Sequence, residues 1–164
     1  MALKQYKEKR DFSKTNEPSS FKANIKNKEK HVFVIQKHDA RNLHYDLRLE
    51  INGVLKSWAV PKKPSNNSSI KRLAIETEDH PLSYKDFEGS IPEGQYGAGT
   101  VEIWDKGEYE NKNIKNQKKI SMKKAYDNGE IIVRLKGKKL KGDFALIKTR
   151  YQKNSWLLIK KNEE

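Results

Sequence analysis

The segment Leu43-His44-Tyr45-Asp46-Leu47-Arg48-Leu49-Glu50-Ile51 alternates with a period of two. Successive side chains of a β-strand point to opposite faces. One face therefore reads Tyr45, Leu47, Leu49 and Ile51, and the other His44, Asp46 and Arg48. A strand of this kind buries its apolar side and leaves the other lined by an imidazole, a carboxylate and a guanidinium. Asn52-Gly53 follows at once. It is a strong type I′ hairpin signal, and Val54–Val60 would return beside the first strand.

Further strand signals surround this hairpin. Val32–Gln36, Leu73–Thr77, Thr100–Trp104, Glu130–Leu135, Gly142–Lys148 and Trp156–Lys160 are short and β-branched or aromatic, and Tyr109 marks one more. Pro61–Ser69 and the glycine-rich Ile91–Gly99 read as a loop and a turn region. One helix is predicted over 117–127, where Met122, Ala125 and Tyr126 lie at i, i+3 and i+4 and Asn128-Gly129 would end it. Many short strands and one helix predict a mainly β, compact single-domain antiparallel barrel or sandwich. Residues 1–30 are polar, carry Pro18, Ser19 and Ser20, and show little periodicity, so they read as an extended N-terminal arm before a domain over 31–164. A chain of 164 residues buries roughly two-thirds of its unfolded surface without disulfides.

Lys and Arg number 35 against 22 Asp and Glu, a formal net charge of +13. That excess favours a polyanionic partner, nucleic acid first, although the lysines at 112–124 and 136–141 also suit solvated faces. The chain has no cysteine, which excludes a thiolate metal site, a cysteine nucleophile and a disulfide framework, and fits the cytoplasm. No signal peptide or apolar run of about 20 residues predicts a membrane span.

His38 precedes a short connection, Asp39-Ala40-Arg41-Asn42, that could bring it back beside His44 and Asp46. Two imidazoles and a carboxylate suit Mn²⁺, Zn²⁺, Fe²⁺ or Co²⁺, and three protein ligands leave positions for water and substrate. His44 and Asp46 would stand roughly 6–7 Å apart at the backbone. Arg48 could hold a phosphate oxygen beside the ion. Arg72, Ala74, Glu76, Glu78 and His80 share one parity, which could bring Arg72 and His80 to the same cleft, while His80-Pro81 also reads as a turn. Lys62 and Lys63 could contact a phosphate or solvate their loop. His31, at a strand edge, reads as structural. Gly94–Gly99 lacks the Gly-Lys-Ser/Thr ending of a nucleotide loop and reads as a tight turn. Tyr84, Trp104, Tyr109 and Trp156 could stack bases, with core packing as the default.

Taken in order, these pieces are recognisable. Lys9-Arg10-Asp11-Phe12 with Thr15 and Glu17-Pro18, Phe33–His38, Leu43–Glu50, Gly53–Lys62, Glu78-Asp79-His80-Pro81, Ile91–Val101 and Trp156–Lys160 together resemble the 3′-phosphoesterase domain of the DNA ligase D family, which processes 3′ ends in end joining. The resemblance spans Tyr6 to about Lys161. It implies a compact β-barrel and a manganese-dependent site, with Zn²⁺ or Co²⁺ as other candidates, that removes a 3′-terminal ribonucleoside and then the remaining 3′-phosphate. The implied metal ligands are His38, His44 and Asp46. Arg48 and His80 would engage the scissile phosphate. Arg10, Asp11 and Glu17 would fold in from the arm, and Lys62, Arg72, Glu78 and Tyr84 would complete the pocket. Leu47 stands where many members have phenylalanine, on the apolar face.

The residues themselves suggest the division of labour. Arg48 would add a charge-assisted contact. His80, titrating near neutrality, could stabilise charge or protonate a leaving oxygen. Asp11 and Glu17, acidic beside a phosphate, would orient Arg10, Arg48 or the histidines. Water is the expected nucleophile. The Met1 start and the lack of polymerase or ligase sequence suggest a free-standing monomer that works on DNA primer-template 3′ ends, with a ligase or polymerase and an end-binding protein in trans. The alternatives are an inert basic nucleic-acid-binding β-domain and a metal phosphoesterase for another nucleotide.

Overall fold

In the computed structural model, which describes residues 3–19 and 31–162, eight antiparallel strands close into a barrel. Strands β1 (Val32–Asp39), β2 (Leu43–Ile51), β3 (Val54–Val60) and β4 (Lys71–Pro81) follow as a meander. The short β5 (Gly89–Ile91) leans on the start of β6 (Gly99–Asn111), and a two-residue pair, β7 (Ile114–Lys115) and β8 (Lys118–Lys119), projects beyond it. β9 (Glu130–Lys136), β10 (Lys141–Lys148) and β11 (Ser155–Lys160) complete the wall. β11 pairs with β4, β9 pairs with β6, and β6 closes the ring on β1. The predicted barrel is therefore the fold.

The alternation of β2 sets what lies inside. Tyr45, Leu47, Leu49 and Ile51 enter the barrel core with Phe33, Trp58 and Trp156. The Trp58 and Trp156 rings meet edge-on at 5.4 Å. Asn52 and Gly53 both take positive φ in the two-residue β2–β3 turn, as predicted. Glu50 fastens the same corner, accepting from the backbone N–H groups of His31 at 2.6 Å and Gly53 at 2.8 Å. The His31 ring stacks on Tyr109, so its role is structural.

A second apolar cluster lies outside the barrel wall. Leu55 leaves β3 on the outer face and packs with Tyr6, Leu82, Tyr84, Phe87 and Val101. These come from the N-terminal arm, from the short 3-10 helix Leu82–Asp86 and the residue that follows it, and from β6. The cluster roofs the outward faces of β1–β4, where the polar side of β2 points.

Three local expectations change. The arm holds a helix, α1 (Lys4–Glu8), so the described residues include two α-helices; residues 20–30 of the arm lie outside the described residues. The second helix, α2, covers Met122–Asn128 rather than 117–127. Asn116 and Gln117 take positive φ and turn β7 into β8, and Ser121 then caps the helix by accepting from Lys124 N–H. Finally, Thr100–Trp104 and Tyr109 belong to one strand, β6.

Candidate active site

The hairpin joining β1 and β2 builds the centre of the site. His38 stands directly across from His44, and Gln36 across from Asp46. The side chains of His38, His44 and Asp46 converge on the outer face, with ligand atoms all within 4.8 Å of one another. His38 Nδ1 lies 3.4 Å from Asp46 Oδ2, and His44 Nε2 lies 3.2 Å from Asp46 Oδ1.

Each imidazole is held by its other nitrogen. His38 Nε2–H donates to the Gly97 carbonyl at 2.7 Å, and His44 Nδ1–H donates to the Asn42 carbonyl at 3.0 Å. A carbonyl only accepts, so these bonds place both N–H groups away from Asp46. The two remaining lone pairs then face a carboxylate, which repels them unless a cation or a proton lies between. Histidine ligands of metals are held in this way, by a backbone carbonyl on the far nitrogen. The donor set therefore fits a divalent ion. Burial pulls the His44 imidazole down, but the hydrogen bond and charge of Asp46 and the Asn42 carbonyl raise it overall. Burial would raise Asp46, yet Arg48 and the two imidazoles hold it well below the usual carboxylate range.

Arg48 lies on the same face, two residues on. Its Nε–H donates to Gln36 Oε1 at 2.7 Å, and its Nη2 lies 3.5 Å from Asp46 Oδ2. Gln36 is itself fixed, donating to the carbonyls of Tyr84 at 2.8 Å and Phe87 at 3.0 Å. The guanidinium lies over the Tyr84 ring. Arg48 Nη1 is buried with no hydrogen-bond partner among the described residues. A buried cationic N–H without an acceptor is costly, so this atom asks for an anionic oxygen from the cleft.

The arm closes the opposite side. Tyr6 is fully buried and its hydroxyl donates to the Pro18 carbonyl. Arg10 stacks on the Tyr6 ring, donates to Glu17 Oε2 at 3.0 Å and reaches Glu78 Oε2 at 3.2 Å. Tyr84 hydroxyl donates to the same Glu17 oxygen at 2.6 Å, and Lys9 Nζ pairs with Glu78 at 3.0 Å. His80 sits between them. Its Nδ1–H donates to the Glu78 carbonyl at 3.0 Å, and its Nε2 faces Arg10 Nη2 at 3.4 Å. Burial first, then Arg48 and Arg10, press the His80 imidazole well below its ordinary value. It is neutral at pH 7 in this state, not poised near neutrality.

Residues 36–148 match the family model of the DNA Ligase D 3′-phosphoesterase domain. The chain belongs to that family. It is 45% identical over 160 residues to the Multifunctional non-homologous end joining protein LigD of Pseudomonas aeruginosa, covering 96% of this chain and 18% of that protein. It is 48% identical over 147 residues to the Multifunctional non-homologous end joining DNA repair protein LigD of Mycobacterium tuberculosis, covering 90% and 18%. With the LigD of Mycolicibacterium smegmatis it shares 48% over 155 residues, covering 94% and 20%. The chain thus spans about a fifth of the length of these relatives.

Measured against the expectations for a DNA ligase D 3′-phosphoesterase domain, the cleft brings together His38, His44, Asp46, Arg48, His80, Glu78, Arg10, Glu17 and Tyr84. Three candidates fall elsewhere. Asp11 is solvent-exposed and accepts from Ser13 N–H at 3.0 Å and Ser13 Oγ–H at 2.6 Å, closing a local turn. Lys62 is exposed beyond the end of β3. Arg72 does not share a face with His80, because β4 carries a bulge. Leu55 pairs with His80 and Ser57 with Thr77, so two steps on β3 oppose three on β4. The extra residue reverses the alternation. Ala74 thus enters the barrel core while His80 joins the outer cleft, and Arg72 Nε–H donates to the Lys63 carbonyl at 2.8 Å. Tyr84, Tyr109 and Trp156 are buried and Trp104 packs against the core, so packing, not base stacking, explains them.

Gln36, the Gly97 carbonyl, Lys9 and Tyr96 were not singled out as site groups from sequence. Gln36 had a signal, since it shares parity with His38 and interrupts an apolar run. Gly97 had only the turn around it. Its φ of +77° suits glycine, and an added Cβ would lie 3.4 Å from His38 Cε1.

Proposed function

We propose that this domain is a metal-dependent 3′-end-processing phosphoesterase. It removes a 3′-terminal ribonucleoside from a DNA primer-template end and then the 3′-phosphate left behind, giving a 3′-OH for repair ligation. The observation that carries this reading is the convergence of two imidazole lone pairs and the Asp46 carboxylate beside the partnerless Arg48 Nη1. A divalent ion held by His38 Nδ1, His44 Nε2 and Asp46, Mn²⁺ first and Zn²⁺ or Co²⁺ next, supplies Lewis-acid charge when bound.

The protein's own groups supply the rest. Arg48, pinned by Gln36 and Asp46, offers Nη1 to a phosphate oxygen at no cost in reorganisation. Arg10, pinned by Glu17 and Glu78, offers its charge from the opposite side. Burial does most to keep His80 neutral; a phosphate between these guanidinium groups offsets the part that Arg48 and Arg10 add, which favours a proton on His80 Nε2 that can pass to the leaving oxygen. Water attacks phosphorus. In the first step the bond to the 5′ oxygen of the terminal ribonucleoside breaks; in the second, the bond to the 3′ oxygen of the primer. A ligase and an end-binding factor would use the product. The domain acts in the cytoplasm as a monomer, with residues of the N-terminal arm completing its site.

The test is a 5′-labelled primer-template ending in one 3′-ribonucleotide, incubated with Mn²⁺ or with EDTA. Stepwise conversion to a 3′-phosphate and then a 3′-OH, abolished by EDTA, is the expected result. Tight binding with no product under any divalent metal would leave a binding module. Turnover of a free nucleotide with no preference for a primer end would assign a different substrate.

A further inference from the structure

The catalytic cleft does not end at the arm. Thr77, Glu78 and Tyr96 line it, and the same three residues line a second, larger groove of about 670 Å³. This groove runs between α1 and the loop joining β10 to β11, which is fastened to β4 by the bond from Glu76 N–H to the Asn154 carbonyl at 2.8 Å. Its acidic groups are already engaged. Glu78 pairs with Lys9 and Asp79 with Lys56, while Glu76 accepts from the Tyr126 hydroxyl and from Trp156 Nε1. The cations at its rim are different. Lys148 and Lys153 are exposed and make no ion pair among the described residues, and Lys4 has only a 3.8 Å contact with Glu8. Tyr96, 46% exposed, stands where cleft and groove meet, with Lys9 and Arg10 over its ring; Tyr151, 85% exposed, stands beside the groove in the loop that carries Arg150 and Lys153.

A neutralised floor, a basic rim and an exposed aromatic ring beside it suit a nucleic-acid strand: lysines for phosphates and a π-face for a base. We infer that this groove is the track that carries the substrate strand to the cleft. The strand passes between α1 and the β10–β11 loop, with its phosphates on Lys148 and Lys153, a base against Tyr151, and its terminal nucleoside entering past Tyr96. This inference rests on the 3′-end-processing reading and names the surface on which that substrate lies.

The experiment compares wild type with the double variant Lys148→Glu/Lys153→Glu, and with Lys115→Glu/Lys118→Glu on the β7–β8 hairpin, which changes net charge equally at the far end of β6. Anisotropy with a fluorescent primer-template in EDTA reads binding, and bis(p-nitrophenyl) phosphate with Mn²⁺ reads the cleft alone. The track predicts that the groove variant binds DNA about tenfold or more weakly, with a log K against log salt slope shallower by about 1.8. It predicts about fivefold or greater loss for Tyr151→Ala, and unchanged turnover of the small phosphodiester by both groove variants. The hairpin variant should bind within about threefold of wild type, as expected when no phosphate contact is lost. Equal binding by the groove and hairpin variants would overturn the inference, as would parallel loss of small-substrate turnover in the groove variant. If wild type hydrolyses neither substrate but the groove variant still loses binding, the track stands and the catalytic reading falls.

Discussion

The imidazole of His38 is oriented by a backbone carbonyl 59 residues away, at Gly97, across a 2.7 Å hydrogen bond. The bond links the β1–β2 hairpin to the glycine-rich turn before β6 and fixes which nitrogen of His38 faces Asp46.

Gly97→Ala should therefore disturb the metal site without removing a ligand. The φ of +77° disfavours alanine, so the strain falls on the turn whose carbonyl holds His38 Nε2, while the new Cβ would touch His38 Cε1 at 3.4 Å. Loss of a partner that orients a metal-binding histidine weakens affinity by about 10- to 100-fold. Calorimetric titration with Mn²⁺ checks this, with circular dichroism as the control for fold.

Arg48→Lys keeps the charge and loses the fork. A lysine cannot bond Gln36, approach Asp46 and present a third donor together. We expect kcat on the primer-template to fall by about 10²- to 10³-fold, while Mn²⁺ affinity stays close to wild type. Steady-state kinetics and the same titration separate the two effects.

Much of this centre is legible in the sequence because its parts are local. The period of two in Leu43–Ile51 separates core from site, and the turn at 40–42 places His38 opposite His44. What is not legible depends on distant pairing. The bulge that separates Arg72 from His80 arises where β4 meets β3, and nothing within Lys71–Pro81 announces it. The arm carries no hydrophobic period because only Tyr6 and Phe12 among its described residues pack on the outer cluster, and ion pairs to Glu78 and the contact of Tyr6 with His80 add to its order. The propensity of 117–121 for helix yields to Asn116 and Gln117, which turn the chain instead.

Glu17→Gln should loosen the arm. Arg10 and Glu17 have side chains 4% and 0% exposed, so removing the Glu17 charge leaves the buried Arg10 with Glu78 as its remaining carboxylate. The expected loss is about 3 kcal/mol, read from urea unfolding of the metal-free protein. A double-mutant cycle with Arg10→Met should give a coupling of similar size.

Acid should destabilise the metal-free protein in two stages. His80 is held below its ordinary 6.5, so beneath that pH the unfolded chain takes up a proton that the folded chain refuses. The stability due to neutral His80 is complete above pH 6.5 and drains as pH falls towards the folded value, with a slope of up to about 1.4 kcal/mol per pH unit. Asp46 and Glu78 are held below 3.8 and 4.5, so their contribution is lost only at lower pH. His44, shifted upward, has its full contribution below 6.5 and loses it only above that pH, so it is constant in this window. Urea midpoints from pH 6.5 to 5 should fall for wild type and flatten for His80→Asn.

The most direct measurement follows Mn²⁺ binding and 3′-end hydrolysis in one titration, for wild type and for His44→Ala. Electron paramagnetic resonance reads the free ion, and gel analysis of the labelled primer reads the product. The account predicts that product appears in wild type as one high-affinity site fills, and that the variant loses both the site and the product. Hydrolysis that persists in His44→Ala, or that proceeds in wild type with EDTA present, would contradict it.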